Sequence, residues 1–136
     1  MVQVTVRTPC HPTEVQERVE AALAAFFPGE VSRDDHGLVL NGTDLSAFRS
    51  RVWELQIIDT VRSALLAGVE GAVLRFRLSK QAAVAGKVAL PVSRHALGDL
   101  DVKLAVEAED RWADAEALAW WLCPETEDGH IVGPTD

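Results

Sequence analysis

The chain has 136 residues, with 21 acidic against 13 basic side chains, a formal net charge of −8 and two cysteines. That length fits one domain able to bury a core without staples. Cys10 and Cys123 cannot form a disulfide framework, and no apolar run of about eighteen residues is present to make a membrane span. A chain this acidic repels nucleic acid on average, so any local concentration of cations needs a reason.

Tyrosine is absent, the lysines are Lys80, Lys87 and Lys103, and acids cluster around Asp34-Asp35, Asp99-Leu100-Asp101, Glu107 to Asp110 and Glu125 to Asp128. In molar salt the Debye length falls to about 3 Å, and an acidic coat then stays hydrated without repelling itself. The composition therefore points to a halophilic archaeon, with an ordinary acidic mesophilic protein as the alternative. No signal-peptide pattern precedes the cysteines, so a reducing cytoplasm is the expected setting.

Val2, Val4 and Val6 alternate with Gln3, Thr5 and Arg7, which predicts a half-buried strand closed by Pro9 and Pro12. Thr13 and Gln16 form a capping-box pattern. They open a helix carrying Val15, Val19, Ala22, Leu23 and Phe26 at helical spacing until Pro28-Gly29. Val31 to Leu40, with Asp34-Asp35-His36-Gly37 inside it, predicts a strand or hairpin ending at Asn41-Gly42.

A long helix is expected from Thr43 or Asp44 to Ala67, with Leu45, Phe48, Val52, Leu55, Ile58, Val61 or Arg62, and Leu65 on one face and Gly68 as its cap. At about 36 Å it would outrun a small sheet, so a break or bend midway is anticipated. Leu74, Phe76 and Leu78 then alternate with Val73, Arg75, Arg77 and Ser79 in a strand with one wet face. Val88 to Val92 predicts another strand. Leu100, Val102, Leu104 and Val106, alternating with Asp101, Lys103, Ala105 and Glu107, predict one more. A final helix runs from Trp112 or Asp114 to Leu122 and stops at Pro124. The predicted order is βαβαβββα, an α+β fold with helices on one face of a mostly antiparallel sheet. Residues 1–124 form the domain, and 125–136 a loosely ordered acidic tail.

Several chemistries are weakly represented. Cys10-His11, Cys123 and His130 lack zinc-ligand spacing. Ser93-Arg94-His95 and Asp34-Asp35-His36 offer nucleophile and base types without a positional signature. Gly68-Val69-Glu70-Gly71 matches a phosphate-clamping G-x-x-G, but it links a helix to a strand and its Glu70 would repel phosphate, so a cap and tight turn is the better reading. No metal, cofactor or catalytic residue is assigned.

The basic concentration lies elsewhere. Ala82, Ala83, Ala85 and Gly86 are small enough for a ribose or a second backbone to approach, with Lys80, Gln81 and Lys87 at the margins and Arg75 and Arg77 on the preceding strand. Arg51 and Arg62 on the long helix complete the set. The alternative is that the small residues serve internal packing and the arginines pair with acids such as Glu54 and Asp59.

Leu55-Gln56-Ile57-Ile58-Asp59-Thr60-Val61-Arg62 and the run from Phe76 to Val88 resemble the archaeal UPF0201 family. Pro12-Thr13-Glu14, Phe27-Pro28 and Trp121-Leu122 before Pro124 support the likeness. The resemblance implies a fold similar to ribosomal protein L5, RNA as the ligand, association with an RNA-processing exosome, and Arg77, Lys80, Gln81 and Lys87 as contacts. Structured RNA would be read by shape and sugar-phosphate contacts, since exposed stacking platforms are few. The competing expectation is a protein-interaction module or homodimer that uses Trp53, Leu55 or Ile57 as a second apolar stripe.

Overall fold

The computed structural model describes residues 1–54, 57–91, 98–127 and 130–132. The chain opens with β1 (Gln3–Thr8), α1 (Gln16–Leu23), β2 (Glu30–Asp34) and β3 (Gly37–Gly42). It continues through α2 (Ser46–Glu54), α3 (Ile58–Ala67), β4 (Val69–Glu70), β5 (Val73–Leu78) and α4 (Lys80–Val84). β6 (Leu100–Ala105), α5 (Ala115–Leu122), β7 (Thr126–Glu127) and β8 (His130–Ile131) complete it.

Alternation in β1, β5 and β6 sorts side chains onto two faces, and six strands join in the order β2-β3-β1-β6-β5-β4 with every neighbouring pair antiparallel. The inner face presents Val4, Val6, Leu40, Leu74, Phe76, Val102 and Leu104, all buried. Against it the helices bring Val19, Leu23, Phe48, Val52, Val61, Leu65, Leu118 and Leu122 into one core. Phe48 is its hub, 5.0 Å from the Phe27 ring and 5.6 Å from Phe76. The α+β class, the antiparallel sheet and the one-sided helical layer agree with expectation.

The element order does not. Residues 30–42 fold as a hairpin whose turn is closed by Asp34 Oδ1 accepting the His36 N–H at 2.8 Å. The long helix is two helices, α2 and α3. Leu55 and Gln56 lie outside the described residues, but the division lets both halves cover the same sheet. Thr13 does not cap α1: residues 12–14 form a turn, and the helix starts at Gln16 behind an uncapped Val15. Gln16 accepts from the Arg33 guanidinium at 2.7 Å, and Glu14 accepts the His11 N–H at 3.0 Å and the Lys80 ammonium at 2.9 Å. Ser79 instead caps an unpredicted short helix, α4, by accepting the Ala82 N–H at 3.2 Å. Val88 to Pro91 are not a strand; Val92 is outside the described residues. The acidic end contributes the β7–β8 ladder.

Gly68 does end α3, and the physical reason is close approach. A Cβ there would fall 1.7 Å from the Arg75 carbonyl oxygen, because the Gly68 carbonyl accepts the Arg75 N–H at 3.0 Å. Asp114 caps α5, accepting the Ala117 N–H at 2.9 Å.

Candidate functional site

The helices leave the other face of the sheet open. On it, register makes rows: Arg7, Asp101 and Arg77 are direct cross-strand neighbours, and the next row is Thr5, Lys103 and Arg75. Direct neighbours on one face stand about 5 Å apart, and successive rows about 7 Å. Four cations from three strands thus share one surface, around a shallow hollow of about 540 Å³ lined by these residues together with Phe76 and Val102, whose side chains face the core.

Carboxylates stand at its rim. Arg7 pairs with Asp34 at 2.7 Å; this contact, with the His36 N–H, holds the Asp34 carboxyl below its ordinary range. Arg77 lies 3.6 Å from Asp99 and Arg75 4.0 Å from Glu70, both beyond hydrogen-bond distance. The side chains of Arg75 and Arg77 are 59% and 46% exposed. The Arg75–Glu70 pair is long and exposed on both sides and contributes at most about 1 kcal/mol, so Arg75 can turn to another anion at little cost; the Asp99 carboxylate is buried, so Arg77 leaves it only at the cost of a less compensated buried charge. Among the described residues no carboxylate lies within ion-pair distance of Lys103.

The other sequence-chosen residues do not join this surface. Lys80 is only 4% exposed, and its ammonium donates to the Pro9 carbonyl at 2.7 Å and to Glu14 at 2.9 Å, which fixes α4 to the segment before α1. It cannot meet a ligand. Gln81 is exposed beside it, lining a separate hollow of about 330 Å³ with Val15, Arg18 and Val84. Arg51 donates to the Gly86 carbonyl at 3.0 Å and to Glu54 at 3.0 Å, so neighbouring Lys87, which is exposed, belongs to the helical side. The alanine segment is helix α4 and its turn, with Ala83 buried in the core. Among the described residues the expected single basic flank around an alanine notch is therefore not formed.

Arg62 is a clasp. Its guanidinium donates to the Cys123 carbonyl at 2.9 Å, to Asp59 at 3.2 Å and to the Pro124 carbonyl, while Thr126 donates to Asp59. Arg62→Ala would leave two carbonyls short of donors and is expected to cost about 2 kcal/mol, with faster amide exchange confined to residues 123–132. A uniform rise in exchange across the sheet would refute this assignment.

Trp53 is also engaged internally. Its indole N–H donates to the Leu122 carbonyl at 2.8 Å, and the Arg49 guanidinium lies between its ring and that of Trp121, at 4.2 and 4.0 Å from the centroids. Ile57 packs against the core, and Leu55 is outside the described residues. Cys123 is fully buried, and burial pushes its thiol up to about 12, an unreactive state. Ser93, Arg94 and His95 lie outside the described residues.

Arg7 and Lys103 were missed as partners of Arg75 and Arg77. Their signal was the wet-side alternation of β1 and β6, which becomes informative only once the strand order is known.

A family model described as RNA binding matches residues 3–107, a range that contains every strand of the six-stranded sheet. A UPF0201 protein of Methanopyrus kandleri is 33% identical over 146 residues, covering 96% of this chain and 89% of that protein. The chain belongs to the UPF0201 family. Another UPF0201 protein, from Metallosphaera sedula, is 31% identical over 138 residues, covering 95% of this chain and 92% of its own. The crystal structure of the UPF0201 protein from Methanococcus jannaschii shares the fold, with a TM-score of 0.86 over 96% of this chain and 99% of that one at 22% identity. A UPF0200/UPF0201 protein of Archaeoglobus fulgidus is 29% identical over 139 residues, and there the chain spans 41% of the relative's length.

Proposed function

We propose that this UPF0201 protein binds structured RNA through the open face of its sheet, with Arg7, Arg75, Arg77 and Lys103 on the sugar-phosphate backbone. The observation that carries the reading is the register of β1, β6 and β5, which gathers four cations on one surface of a chain whose net charge is −8. The family description, RNA binding, covers the strands that build this surface.

The mode of recognition follows from what the face lacks. Its outward residues on β1, β5 and β6 include no aromatic side chain. The phenylalanines are buried in the core, and the exposed Trp120 is on α5 beside the Arg62 guanidinium, so the sheet face offers no platform for base stacking of the kind used on single strands. A broad polar surface instead suits the wide, shallow minor groove of an A-form helix, with its phosphates and 2′-hydroxyls.

Mobility-shift titration with transfer RNA across a salt series tests this. Four phosphate contacts at 0.7–0.9 released counterions each predict a log–log slope of about −3. No saturable binding at low salt, or a slope near zero, would contradict the reading.

A further inference from the structure

We infer that the open face leads into a nucleobase pocket at one end of the sheet, where an unpaired base from a single-stranded extension stacks on the Arg111 guanidinium beside Trp112. The inference rests on the RNA reading above and gives that ligand a second element. Residues just outside β1, β3 and β6 meet there around a hollow of about 650 Å³, whose lining includes Asp44, Glu109, Asp110, Arg111, Trp112 and Trp121. The face runs toward it along β1 and β6: beyond Lys103 and Ala105 comes Glu107, whose carboxylate accepts from the outward Gln3 at 2.7 Å. At about 3.4 Å per residue, Lys103 and Glu107 are roughly 14 Å apart, the rise of about four stacked nucleotides.

This hollow has the stacking platform that the sheet face lacks. The Trp112 and Trp121 rings stand 4.9 Å apart, tilted by 55°, and the Arg111 guanidinium lies 5.1 and 5.3 Å from their centroids. Arg111 is nevertheless exposed and lines the hollow. Contact with the two indoles thus holds a long side chain in place while leaving it open to a ligand. Aromatic rings and guanidinium planes are the surfaces on which splayed-out bases stack. Charge then decides which part of a nucleotide enters. Three carboxylates, of Asp44, Glu109 and Asp110, line the hollow and would repel a phosphate. An ionised carboxylate only accepts, so the same acids suit the amino edge of adenine, guanine or cytosine.

The test compares a blunt RNA hairpin, the same hairpin with a four-nucleotide adenine overhang at its 3′ or its 5′ terminus, and the overhang hairpins with abasic sites in place of the adenines. Wild type is expected to bind one of the adenine overhangs about tenfold more tightly than the blunt hairpin, the size of one stacked base, and the abasic overhangs no better than the blunt one. Arg111→Lys keeps the charge and loses the plane. It should bind the blunt hairpin as wild type does, which shows that it is folded, and lose most of the tenfold gain. A gain that survives in the abasic overhangs, or in full in Arg111→Lys, would overturn the inference. So would the absence of any gain from either overhang in a protein that binds the blunt hairpin. Failure of wild type to bind any of the hairpins would overturn the RNA reading, and the inference with it.

Discussion

Lys80→Met is expected to destabilise the protein by about 3 kcal/mol, lowering Tm by roughly 10 °C. The lysine lies in the core between α4 and the turn preceding α1, bonded to the Pro9 carbonyl and the Glu14 carboxylate. Removing the ammonium leaves a nearly buried carboxylate without its counter-charge, and that residual group accounts for most of the cost. Glu14→Leu alone should be similarly damaging, because it strands the ammonium. Combining the two is expected to recover much of the loss, since an apolar pair of similar volume has no desolvation penalty to offset. Thermal melts of the three variants and wild type give the coupling directly. If the double variant is no better than the sum of the singles, the pair is not a unit.

The same pair sets an acid limit. Burial pushes the Glu14 carboxyl up, but the His11 N–H and the Lys80 ammonium outweigh it, so the group titrates below its ordinary range. A carboxyl depressed in the folded state contributes stability that is present above the unfolded pKa and lost as pH falls through the folded one. Wild type should therefore lose stability on the acid side of the normal glutamate range. Glu14→Leu in the Lys80→Met background should flatten that part of the profile.

Reversing Arg75 and Lys103 together to glutamate is expected to reduce RNA affinity more than a hundredfold at low salt and to bring the salt slope about two units closer to zero. These residues are direct cross-strand neighbours, both exposed, so the change alters the ligand surface while the core behind it, Leu74 and Leu104, is untouched. Lys87→Glu supplies the control, to be compared with Arg75→Glu, which makes the same change of two charges. Lys87 follows the Gly86 carbonyl that Arg51 holds on the helical side, so its reversal should leave the slope unaltered. Equal losses from Arg75→Glu and Lys87→Glu would mean that affinity follows net charge rather than a surface.

The period-two alternation of β1, β5 and β6 was legible because each strand has one dry and one wet face. The stop of α5 at Leu122 ahead of Pro124 and the end of α3 at Gly68 were legible for the same kind of local reason. What failed was whatever tertiary contact decides. Glu14 and Lys80 are distant in sequence, and their pairing removed the most prominent lysine from the candidate site, while Arg33, also remote from the capping-box pattern, took up Gln16. Arg51 and Arg62 were legible either as ligand contacts or as partners of Glu54 and Asp59, and they make those pairs. Three carbonyls, of Gly86, Cys123 and Pro124, claim their guanidiniums, and backbone acceptors leave no trace in a sequence. Arg75 and Arg77 were found because they depend only on alternation. Arg7 and Lys103 were not, because grouping them requires knowing that β6 inserts between β1 and β5.

The central claim is that RNA meets the open face of the sheet and not the α4 segment. Nitrogen-15 amide spectra of this 14.8 kDa protein, recorded with and without an RNA hairpin, test it most directly. Shifts should concentrate at residues 3–7, 73–77 and 101–105, with 80–87 and α2 nearly silent. Shifts gathered at 80–87, with the three strands unmoved, would contradict the account.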